Sequence, residues 1–163
     1  MLTRRTLLST WTLTLAVFSV GAMTEVVIAE ERTRLVVVVA KTSSINGLSL
    51  AELRRMYLGD PVDSRGQRLI ALNHAPSAKE RLAFDKLVLG MSEEEVSRYW
   101  VDRKIRGQSG APKAIDPADV HPRVVAKLAG AIGYVRSSEL RDDVKVLRID
   151  GLAPTDRGYP IEF

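Results

Sequence analysis

Leu35–Ala40 reads LVVVVA, six residues without a polar side chain. A continuous β-branched run has no face suited to water, so it reads as a strand covered on both sides, as in a parallel or mixed sheet flanked by helices. The chain that follows supplies such helices. Ser49 opens a short one with Leu50, Leu53, Met56 and Tyr57 on one side, closed by Gly59 and Pro61. After a turn at 63–66, Arg68–Asn73 reads as a second strand. A helix over Ser77–Leu89 follows, with Leu82, Phe84, Leu87 and Val88 as its apolar residues and Gly90 as its stop. A third helix over Ser92–Lys104 turns Val96, Tyr99 and Trp100 inward. Then come a glycine-rich loop at 107–112, a short helix over Pro122–Ala129, and strands at 132–135 and 144–149. The tail from Gly151, with Pro154, Gly158 and Pro160, is expected to wrap the surface or fray. Strands alternate with helices, which makes the fold class α/β.

Three helix starts carry the same pattern: Ser49-x-x-Glu52, Ser77-x-x-Glu80 and Ser92-x-x-Glu95. In a capping box the Ser oxygen accepts from the backbone N–H three residues on, and the Glu reaches back to the Ser N–H. Each cap contributes about 1 kcal/mol.

The 163 residues suffice for one domain, and the formal charge of +4 is spread without a run of like charges. A nucleic-acid groove is therefore not indicated. With no Cys, disulfides and thiolate metal sites are excluded. Arg4 and Arg5 precede an apolar run from Leu7 to Val20 interrupted only by Ser and Thr, the layout of an export signal. Thr3–Leu8 also looks like a twin-arginine motif. Cleavage is expected after Ala22 or Ala29, with Ala29 favoured because the mature chain then starts just before its first strand; the alternative is an uncleaved anchor. The expected organisation is an export signal over 1–29, an α/β domain over 30–150 and an irregular tail over 151–163.

Three segments, LSLAELRRMYLGD (48–60), RLIALNHAPSAKERLAFDKLVLG (68–90) and GAIGYV (130–135), occur in an order and at a spacing that resemble one lobe of the periplasmic phosphate-binding proteins of ABC transporters. The resemblance runs from about Val36 to Val135, and its most specific parts are scaffold: Leu53-Arg54-x-x-x-Leu58-Gly59 and Gly130–Val135. It implies helices on both faces of a mixed, mostly parallel sheet, one lobe of a type 2 periplasmic-binding-protein fold. In that family a strand-to-helix turn carries Ser-Gly-Thr, with an arginine four residues before the Ser, and holds phosphate on hydroxyls and backbone N–H groups. Here the matching turn has Ser77, Ala78 and Lys79, with Asn73 at the arginine position. The resemblance thus points to Ser77, Ala78, Lys79, Arg81 and His74 as ligand-binding candidates, with Glu80 competing for the same donors. Ordinary capping by Ser77 is the competing account of the same residues.

The remaining candidates are weaker. His74 and His121 have no partner at metal-ligand spacing, and His121 before Pro122 reads as a residue that starts a helix. Gly107-Gln108-Ser109-Gly110 is not a P-loop, since Lys and Ser/Thr do not follow the second Gly. Tyr99-Trp100 reads as core. No nucleophile–base pair can be assembled, so an enzyme is disfavoured and no catalytic residue, metal or cofactor is expected. The expectation is a periplasmic protein that binds phosphate or a similar small anion weakly, in association with an ABC-type transporter or sensor. The alternative is an interaction module that has kept the lobe and lost the ligand.

Overall fold

The computed structural model describes residues 34–162 except 109; the expected export signal and its cleavage sites lie outside the described residues. The strands are β1 (Leu35–Ala40), β2 (Gly47–Leu48), β3 (Asp63–Ser64), β4 (Gln67–Arg68), β5 (Ile70–His74), β6 (Lys113–Ile115), β7 (Ala131–Arg136), β8 (Val144–Val146) and β9 (Arg148–Ile149). The helices are α1 (Leu50–Tyr57), α2 (Lys79–Phe84), α3 (Glu93–Ile105) and α4 (His121–Lys127). A π-helical turn, Asp85–Leu89, prolongs α2 and ends at Gly90, whose φ of 65° supplies the left-handed stop.

Five strands form the central sheet in the order β6-β5-β7-β1-β8. β5 runs parallel to β6 and to β7, whereas β1 is antiparallel to both β7 and β8. Four strands therefore share one direction and β1 alone opposes them, which is the mixed, mostly parallel sheet expected. All six residues of β1 are buried. Leu35, Val37 and Val39 face a core shared with Leu53 and Tyr57 of α1, Phe84 of α2 and Val96 of α3. Val36 and Val38 face a second core with Val125 of α4. Alternate side chains thus bury against opposite helix layers, as the period of two requires.

Helix α4 sits directly on β7. A Cβ at Gly133 would stand 2.3 Å from Cε1 of His121 and 2.7 Å from Cγ2 of Val125, so only glycine admits this approach.

Three expectations are corrected. The second helix starts at Lys79 with Ala78 as N-cap and no side-chain cap bond, so the Ser77–Glu80 capping box does not form; those at Ser49 and Ser92 do. Trp100 is half-buried against the first core, not within it. The tail is irregular but not loose. Tyr159 and Ile161 are buried in the first core, and Leu35 N–H donates to the Ile161 carbonyl at 3.2 Å.

Candidate functional site

Strand β5 ends in the turn that the sequence singled out, and each of its residues has a definite place. Ser77 and Lys79 are exposed. Ala78 N–H closes the turn on the Ala75 carbonyl at 3.0 Å, and Leu82 N–H makes the first helical bond, to the Ala78 carbonyl at 3.0 Å. The N–H groups of Lys79, Glu80 and Arg81 therefore have no acceptor within the helix. Glu80 does not fold back over them. Its carboxylate is nearly buried and meets Arg136 of β7 at 2.5 Å. A charge-assisted bond to a guanidinium outweighs a bond to a backbone N–H, which explains why the local capping pattern is overridden.

The other two candidates lie beneath the surface. Arg81 Nε donates to Asp85 Oδ2 at 2.6 Å and Nη1 donates to the His74 carbonyl at 3.4 Å, so its guanidinium ties the helix to the strand end. Burial raises the Asp85 pKa, Arg81 pulls it down, and Glu93 adds a push upward. His74 is 1% exposed, and its Nε2 donates to the Tyr134 carbonyl at 2.8 Å. Asn73, at the position where the resembled family has arginine, is buried and accepts a hydrogen bond from the Tyr134 hydroxyl.

His74 also has a neighbour that its sequence spacing hides. Its ring stacks on that of His121, centroids 4.1 Å apart and 17° from parallel. Phe84 stacks on Tyr134 at 3.9 Å, and Tyr57 lies 4.5 Å from Phe84, so an aromatic series leads from one core towards the other. Burial lowers the His74 pKa, and burial together with the facing His74 takes His121 down to about 4. Both rings are neutral at pH 7. Among the described residues no group of three or more His, Cys, Asp or Glu could hold a metal ion.

Beside the turn, α2 and α3 leave a cleft of about 550 Å³ between them, with Pro76, Arg81, Asp85, Val96 and Trp100 on its walls. The turn thus brings Ser77, Ala78 and Lys79 together at the surface and places Arg81 and His74 as its buried support. Nothing in the sequence signalled the cleft, which depends on how α2 and α3 pack, or the Glu80–Arg136 pair, which joins residues far apart in the chain.

No family model matches the chain, and no curated protein matches it. Among solved structures it is similar to an ABC-type phosphate transport receptor from Vibrio cholerae, with 18% identity and a TM-score of 0.61 over 76% of this chain and 48% of that one. It is similar also to a phosphate ABC transporter substrate-binding protein with bound phosphate from Clostridium perfringens, with 18% identity and a TM-score of 0.65 over 80% of this chain and 52% of that one. A third is PstS from Borrelia burgdorferi, with 13% identity and a TM-score of 0.61 over 80% of this chain and 54% of that one. The chain spans about half the length of each. The fold is therefore that of one lobe of this type of binding protein, as the resemblance implied.

Proposed function

We propose that the chain is an exported solute-binding protein that holds phosphate or a similar oxyanion weakly at Ser77–Lys79, in association with an ABC-type transport or sensing system. The observation that carries this reading is the uncapped start of α2. Its first-turn N–H groups have no helical acceptor, the neighbouring carboxylate of Glu80 is drawn off to Arg136, and exposed Ser77 and Lys79 stand beside them. Such donors, at the positive end of a helix dipole, favour an anion. The Clostridium perfringens structure of the same fold, solved with bound phosphate, agrees with this ligand class. No chemical step belongs to the reading; the role is binding. The charged and apolar N-terminus over Arg4–Val20 supports the export part of this reading.

Affinity is expected to be low. Asn73 takes the place of an arginine, and Arg81 is held by Asp85 and the His74 carbonyl. Binding near millimolar, about −4 kcal/mol, is the corresponding range. It should weaken with salt, since exposed charges are screened over about 10 Å. An NMR titration with phosphate is expected to move the amides of Lys79, Glu80 and Arg81 first, with smaller shifts at Ser77 and Ala78, and Lys79→Ala should weaken the effect. If phosphate and sulfate at tens of millimolar leave these amides unmoved, the turn holds no anion.

One observation favours the second reading, an interaction module without ligand. Val101 and Ile105, one turn apart on α3, are 54% and 78% exposed. That outcome would follow from a silent titration.

A further inference from the structure

We propose that the cleft between α2 and α3 binds a small organic amine, its ammonium between Asp85 and Glu93 and its hydrocarbon part against Trp100 and Val96. This goes beyond the oxyanion reading and does not depend on it. The volume of about 550 Å³ lies within the usual range for small-molecule sites.

Charge selects the ligand class. Three acidic residues, Asp85, Glu93 and Glu94, line the cleft with two basic ones, Arg81 and Arg98, which leaves one negative charge in excess. Arg81 is taken by Asp85 at 2.6 Å. Arg98 stands one helical turn from Glu94 and offsets it. Glu93 is the carboxylate left over, with no ion-pair partner within 4 Å among the described residues.

Hydrogen bonding selects the same class. Asp85 is 2% exposed and uses only Oδ2 on Arg81; its Oδ1 has no hydrogen-bond partner among the described residues. A buried acceptor without a donor carries a desolvation penalty, and an ammonium brings three donors. Glu93 lines the same cleft and pushes the Asp85 pKa upward, so a cation between them would offset both charges. A neutral alcohol would satisfy the oxygen but leave the excess charge, and a carboxylate would be repelled by Glu93. Pro76, Val96 and Trp100 give the hydrocarbon part an apolar wall.

The test is an NMR titration of the isotope-labelled full chain with phenethylamine, with phenylethanol and phenylpropionate as neutral and anionic comparators at matched ionic strength. Phenethylamine is expected to shift the amides of Asp85 and Glu93 and the indole N–H of Trp100 saturably. Phenylethanol should bind at least about fivefold more weakly, and phenylpropionate more weakly still. Glu93→Gln, at an exposed position in the first turn of α3, should weaken the amine about twofold to fivefold and leave the alcohol unchanged. The proposal is overturned if the alcohol matches the amine, if Glu93→Gln has no effect on the amine, or if phenethylamine at about 20 mM produces no saturable shift. Phosphate reports through residues 79–81 and the amine through Asp85, Glu93 and Trp100, so either proposal can fail while the other stands.

Discussion

Two buried imidazoles in face-to-face contact make an acid-sensitive point. His121 has a folded-state pKa of about 4 against an ordinary value of 6.5, lowered first by burial and then by His74. His74 is lowered as well, chiefly by burial, while the Tyr134 carbonyl and the nearby Glu80 and Glu139 oppose the shift. A depressed histidine pKa means that the unfolded chain binds more protons than the folded one between the two values. Stability is therefore full above about pH 6.5 and falls as the pH drops towards 4, by up to about 1.4 kcal/mol per pH unit for each proton involved. Urea denaturation at pH 7, 6 and 5 should show falling midpoints, and His121→Gln should flatten the fall. A midpoint constant from pH 7 to 5 would contradict this account. The sequence identified His121 as the start of a helix, and it is the first residue of α4. It held no sign of the partner, because the two histidines are 47 positions apart in the chain and are brought together only by the sheet and by the close seat of α4 on Gly133.

Among the secondary-structure elements, the helix starts show how far local pattern carries. Ser49 and Ser92 are N-caps with both bonds of the box in place, whereas the same spacing at Ser77 yields no cap. Ser49→Ala and Ser92→Ala should each cost about 1 kcal/mol in chemical denaturation. Ser77→Ala should change stability by less than about 0.5 kcal/mol, as expected of an exposed residue outside such features. A cost at Ser77 equal to the other two would show that the box forms in solution. The difference lies in Arg136, far along the chain on β7, which captures Glu80. Periodicity located α1, α3 and β1 nearly to the residue. It merged α2 with its π-helical extension and missed the short strand β6, whose three residues carry no alternation strong enough to read.

For the molecule as a whole, strand and helix alternation was enough to read the α/β class, and the burial of β1 on both faces followed from its composition. Strand order and the reversed direction of β1 were not legible, since pairing partners are set by crossovers and not by any strand's own residues. The tail shows this most clearly. Its prolines and glycines suggested a segment that wraps the surface or frays, yet Tyr159 and Ile161 are 3% and 0% exposed. Removing residues 152–163 should cost at least about 3 kcal/mol, from the loss of two large core side chains, and lower the Tm by about 10 °C or more. An unchanged melting curve would place those side chains outside the core.

That docking has a geometric corollary. Arg34, at the start of the described residues, bonds to Glu162 at their far end, Nη2 to Oε1 at 3.2 Å. The two ends of the described fold therefore lie against each other, beside the antiparallel strand β1. A short engineered linker between residues 34 and 162 would close the described fold into a ring. The lobe could then be spliced as a cassette into a surface loop of another protein, or reopened at the exposed hairpin around Arg65 and Gly66, with its sheet order intact.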